Sequence, residues 1–136
     1  MKALRNIISV LAGLFIGGAV NMAFINLSSH IIPPPAGIDN TTMEGLKAGI
    51  HLFEPKHFLF PFLAHAMGTL VGAIVTGFIA RNKGFGLIAI IGVVNFIGGL
   101  MMVVALPSPL WFSVVDLGLA YFPMAWLGWK MTSKRG

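Results

Sequence analysis

Four long apolar stretches constrain this chain more than any other feature: roughly 7–29, Phe58–Ala80, Phe85–Leu106 and Leu110–Trp129. Each has about the 20 residues an α-helix needs to cross about 30 Å of hydrocarbon. Together they take up most of the 136 residues. The reading is an all-α membrane protein, a single four-helix transmembrane domain over 1–136. Composition agrees, with 57% hydrophobic and only 10% charged residues. Soluble domains carry about 25% charged residues, enough to cover a surface in water.

The basic residues are unevenly placed. Lys2 and Arg5 precede the first span, Arg81 and Lys83 separate the second from the third, and Lys130, Lys134 and Arg135 follow the fourth. Only Lys47 and Lys56 fall on the other side, beside Asp39, Glu44 and Glu54. This positive-inside pattern predicts both termini in the cytoplasm. The net charge of +5 is therefore a topology signal, and no nucleic-acid partner is expected. With no cysteine in the chain, disulfides, thiolate metal sites and thiol nucleophiles are excluded. Gly17-Gly18-Ala19 is a weak cleavage signal, but the apolar run continues to Leu27, past a usual signal-peptide core of about 7–15 residues. A retained first span is expected.

The first span ends against Pro33-Pro34-Pro35, which cannot continue a helix. The outer loop 36–56 follows. Thr41 and Glu44 have capping-box spacing, and Met43, Leu46, Ile50 and Phe53 then recur at helical intervals until Pro55. A short amphipathic helix is expected there, on the membrane surface or over the bundle mouth. Trp111 and the pair Trp126 and Trp129 fit two aromatic belts about 22–27 Å apart. Gly18-Ala-Val-Asn21 matches Gly92-Val-Val-Asn95, with Pro33 and Pro35 at the same offsets as Pro107 and Pro109. A duplicated helical hairpin is one explanation, and chance in a biased composition is the other.

Small and polar residues form one stripe per span. Gly13, Gly17 and Asn21 share a face of the first, and His57, Pro61, His65, Gly68, Gly72 and Thr76 a face of the second. Gly92, Asn95 and Gly99 share a face of the third, and Pro109, Ser113, Asp116, Ala120 and Pro123 a face of the fourth. In lipid, small residues allow close helix approach and polar ones bond across the contact, so these stripes should face inward. Pro123 should kink the fourth span below Asp116.

Asp116 is the only carboxylate inside an apolar span, and His65 the only histidine well inside one. A charge at that depth costs at least about 2.5–3.5 kcal/mol, which makes an intramembrane ionisable group a site by default. Counted from the outer ends, Asp116, His65, Asn21 and Asn95 all lie about 9–15 Å deep. These four, with Ser113 and Thr69, form the candidate ligand or proton site, and His65 is expected to meet Asp116 directly or through one water. Two readings stay open: a structural clamp between helices, and a binding site.

His51, Glu54 and His57 are weak metal candidates, because Pro55 interrupts any single helix through them and their spacing spreads the side chains. A bis-histidine haem needs deep histidines on two helices, so no cofactor is expected. No phosphate loop, nucleophile elbow or paired carboxylates are present in the sequence.

The run from His51 through Pro61 and His65 to Gly72 resembles that of small, four-span, uncharacterised bacterial inner-membrane proteins. The likeness extends to Pro33-Pro34-Pro35 and the Asp116 region. It implies a multi-pass protein of the bacterial inner membrane, and it implies no activity. The fluoride-channel family is similar in size, and Gly68-Thr69-Leu70 echoes its glycine-rich helices, but the remainder departs from that pattern. Three functions are compatible with these residues: small-molecule or ion binding or transport, an accessory or scaffold subunit, and a membrane enzyme acting on a lipid-like substrate. The enzyme is the least supported, since two polar side chains make an incomplete active site. The lipid bilayer is the expected partner, with a homo-oligomer or a larger membrane complex as further ones.

Overall fold

The computed structural model describes residues 1–81 and 83–133, so the reading of Lys134 and Arg135 lies outside the described residues. No strand occurs among these residues. In chain order the helices are α1 (Lys2–Ile31), α2 (Met43–Gly49), α3 (Leu59–Ile79), α4 (Phe85–Ala105), α5 (Leu110–Leu119) and α6 (Phe122–Ser133). Four segments are long and apolar enough to cross a membrane: Lys2–Ile31, Pro55–Ile79, Phe85–Ala105 and Leu110–Ser133. The fourth comprises two helices.

Burial is inverted relative to a soluble helix. In α1 the buried residues are Ser9, Gly13 and Gly17, whereas Phe15 is 78% exposed. A water-soluble helix would bury Phe15 and leave the small residues outside.

The α1–α3 contact shows why the small residues lie inside. The helices run antiparallel, and facing pairs advance four residues at a time: Gly17 meets Gly68, Gly13 meets Gly72, and Thr76 Oγ1 donates to the Ser9 carbonyl at 3.1 Å. A Cβ on Gly17 would stand 2.5 Å from the Gly68 carbonyl oxygen, and one on Gly13 2.6 Å from that of Gly72. Those neighbours are backbone and cannot swing aside, so only glycine permits this approach. The register continues to the helix ends, where Arg5 Nε donates to the Ile79 carbonyl and Arg81 N–H to Asn6 Oδ1.

α3 is the hub, packing against α1, α4 and α6. Gly128 fits against Ala73, and Gly77 leaves room for Thr132. Gly92 lies against Ala125 and Phe122. The starts of α1 and α4 and the ends of α3 and α6 share one end of the bundle, where Trp129 Nε1 donates to the Lys83 carbonyl. The opposite end, below α2, is the loop end.

The connection from α1 to α3 departs from the sequence reading in its details. Thr42, not Thr41, is the N-cap of α2, accepting the Gly45 N–H at 3.0 Å. Thr41 is already engaged, because the Asp39 carboxylate takes both its N–H and its hydroxyl. Glu44 consequently sits one place too early for a capping box. α2 also stops at Gly49 and tightens into 3-10 turns at Ile50–Leu52 and Pro55–Phe58, rather than continuing through Phe53. Glycine is a weak helix former, and helices commonly end in such turns. Ile50 packs with Phe58 and Leu106, joined by Leu46, Phe53 and Phe112.

Candidate functional site

The site begins where the fourth span breaks. Pro123 has no N–H to offer the Leu119 carbonyl, and α5 ends at Leu119. Ala120 N–H still reaches the Asp116 carbonyl at 3.0 Å, and Ala125 N–H the Tyr121 carbonyl at 2.8 Å. The kink expected from Pro123 is thus a full interruption at Ala120-Tyr121. Pro123 itself is exposed and not on the inward face assigned to it, because the break turns α6 relative to α5. Irregular backbone at membrane depth is tolerated where protein covers it, and Ala120 and Tyr121 are both buried.

Above the break, His65 Nδ1 lies 2.8 Å from Asp116 Oδ1. The carboxylate's second oxygen, Oδ2, accepts the Tyr121 hydroxyl at 3.0 Å. The Tyr121 ring also stacks on His65 at 5.9 Å between centroids. In an unbroken helix Tyr121, five residues on, would point about 140° away from Asp116. The interruption brings it back. Gly99 on α4 makes room, since a Cβ there would come within 2.3 Å of the Tyr121 hydroxyl oxygen.

Asn95 and Asn21 do not complete this cluster. Asn95 Nδ2 donates instead to Thr69 Oγ1 at 3.0 Å, tying α4 to α3. Asn21 lines a neighbouring cavity, and Ser113 is buried one turn before Asp116 without lining either cavity described below. Tyr121 was the residue missed. Its signal was present: it is the only tyrosine in the chain, two residues before a mid-span proline. A buried tyrosine hydroxyl requires a partner.

The Asp116 side chain is 4% exposed and that of His65 24%. The difference comes from two cavities that share His65, Gly99 and Met102. One, of about 180 Å³, lies under the loop-end cluster and reaches Asp116 between Phe58, Pro61 and Phe112. Ser28, Asn40, His57 and Ser108 give it a polar fringe. The other, of about 270 Å³, lies between α1, α3 and α4 and is lined by Asn21, Thr69, Asn95 and several glycines. At its side Gly18, Val94, Gly98 and Met102 are exposed, so it opens between α1 and α4.

This geometry determines which atom is chemically available. Where the carboxylate is ionised it only accepts, and Nδ1 of His65 is then the donor in their bond. Both Asp116 oxygens are then engaged. The remaining nitrogen, Nε2, has no protein partner, and no buried side-chain polar atom lacks one among the described residues. Nε2 is therefore open to the cavities, as an acceptor in neutral histidine and a donor in the cation. Hydrogen bonds to charged groups contribute about 1.5–3 kcal/mol each, so two are of the size that offsets the insertion cost of Asp116.

His51, Glu54 and His57 do not converge. His57 Nδ1 accepts the Glu54 N–H at 2.8 Å and Glu54 pairs with Lys56 at 3.4 Å. No three His, Cys, Asp or Glu side chains are arranged to hold a metal among the described residues.

No family model matches this chain, and no curated protein or solved structure matches it significantly. What the molecule defines by itself is a helical bundle of four apolar segments able to span a membrane.

Proposed function

We propose that this chain is a multi-pass protein of the bacterial inner membrane, with its termini in the cytoplasm, that binds a small solute or proton at His65 as a binding or transport protein. One observation carries the reading: a histidine held on one nitrogen by a buried carboxylate, with its other nitrogen open to two cavities. A clamp between helices would engage Asp116 equally well, but it would not require a cavity on each side of the imidazole.

The solute would enter from the loop end or sideways between α1 and α4. The cytoplasmic half is closed by the Gly13–Gly72 contact and by the packing of Ala73, Ile88 and Ala125. This supports an outward-facing site rather than an open channel. A polar group would sit at His65, and the remaining body would lie against the glycines and Val94. The Tyr121 hydroxyl donates to Asp116 and the Thr69 oxygen accepts from Asn95, so neither is poised as a nucleophile, which favours binding over catalysis.

Native mass spectrometry of the wild type and of His65→Gln, purified in mild detergent, tests the proposal. The expected result is a bound small molecule released from wild type and absent from the variant. A wild type that carries only a protein partner, with His65→Gln retaining it, would replace this reading with that of an accessory subunit.

A further inference from the structure

The second candidate site lies at the other end of the bundle, away from His65. There the α1–α3 register brings Lys2 and Arg5 of α1 beside Arg81, which follows α3. The three cations line a cavity of about 380 Å³ together with Met1, Leu4 and Ile8. No carboxylate side chain neutralises them: three of the chain's four acidic residues are in the 32–58 connection and the fourth is Asp116. Arg5 uses one of its five N–H donors on the Ile79 carbonyl, which positions the guanidinium at the end of α3. Arg81 is held by its backbone N–H on Asn6 Oδ1 at 3.2 Å, so its side chain is not what anchors it.

The apolar lining identifies the kind of anion. Leu4 and Ile8 are about half exposed, at 50% and 48%, and continue into the outward apolar face of α1 at Leu11 and Phe15. An inorganic anion has no use for such a wall, whereas a phospholipid carries its phosphate at the head of an acyl chain. The depth also fits. Trp129 bonds the Lys83 carbonyl and Lys130 lies over the Trp126 ring, forming the aromatic and basic girdle that marks the headgroup layer. We infer that Lys2, Arg5 and Arg81 form a site for the phosphate headgroup of an anionic phospholipid, whose chain lies along Leu4 and Ile8. The inference rests on the membrane-spanning reading and is independent of the His65 site.

Native mass spectrometry of the full chain, titrated with phosphatidylglycerol or phosphatidylcholine at equal concentration, tests it. Phosphatidylglycerol should bind preferentially. Each basic residue that lines the cavity and meets the headgroup directly should contribute about fivefold, so Arg5→Gln with Arg81→Gln should weaken binding about 25-fold. Lys2→Gln, at an exposed position, should weaken it about fivefold and keeps the test available if the double variant does not fold. Lys130→Gln, outside the cavity, should bind as wild type. Equal retention of the two lipids, or of phosphatidylglycerol by wild type and Lys2→Gln, would overturn the inference. So would displacement of the lipid by an equal concentration of glycerol phosphate, which would indicate a site for a soluble phosphate compound.

Discussion

At the scale of single residues, the most consequential arrangement is Asp116 between His65 and Tyr121. Removing His65 alone leaves the Asp116 carboxylate short of a partner in an apolar interior, whereas removing both His65 and Asp116 leaves only the neutral Tyr121 hydroxyl unpaired. The double variant His65→Leu with Asp116→Leu should therefore cost less detergent stability than the sum of the two single variants. A double-mutant cycle on thermal unfolding should show a coupling of about 1 kcal/mol or more. A coupling near zero would mean that the bond contributes nothing to the fold. Asp39 gives a separate test outside the spans. The Thr41 hydroxyl and then the Thr41 N–H hydrogen-bond its carboxylate, holding it below the usual carboxylate range. A depressed folded-state value means that the turn's stabilisation is complete above the ordinary range and disappears as pH falls through the lower folded one. The Thr41 amide shift should follow that acid titration, and in Asp39→Asn it should stay flat.

At the scale of elements, the glycines divide into those whose neighbours forbid a side chain and those whose surroundings are open. Gly17 and Gly18 are adjacent in α1, yet a Cβ on Gly17 meets backbone at 2.5 Å and one on Gly18 meets nothing within 4 Å. Gly17→Ala should lower stability by about 1–3 kcal/mol through overpacking against α3. Gly18→Ala should be neutral or raise it by up to about 1 kcal/mol, because alanine is the better helix former. Thermal unfolding of the two variants decides the matter, and equal effects would mean that the α1–α3 contact is not as close as described. The sequence stripes grouped the small and polar residues by helix face, and of that set Pro123 is exposed. They did not show that Gly13–Gly17 would lock onto Gly68–Gly72, since pairing depends on register between helices and not on either face alone.

At the scale of the whole molecule, the charges on the connections predict an orientation that labelling can test. The absence of cysteine makes single-cysteine labelling clean. Lys47→Cys, on the exposed side of α2, should react with an impermeant thiol reagent in intact spheroplasts, and Lys2→Cys should react only after lysis. Reverse labelling would place His65 nearer the cytoplasm and the lysine–arginine cavity outside. Between α1 and α3 the bundle is closed toward the terminal end by close small-residue contacts, and the two cavities beside His65 lie toward the loop end.

The four apolar segments long enough to span a membrane, and their helical form, were readable from the sequence. Each depends on local quantities: the length of an apolar run, 1.5 Å of rise per residue, and a 3.6-residue period. The loop helix was readable too, but not its cap or its end, because Asp39 competes for Thr41 and Gly49 weakens the final turn. Tertiary structure alone decided the partners. Asn95 bonds Thr69 across a helix contact, and Tyr121 reaches Asp116 because a proline breaks the span between ideal helical positions. The cavities on either side of His65 are likewise invisible in sequence, since an empty volume belongs to the packing of α1, α3, α4 and α5 together and to no residue by itself.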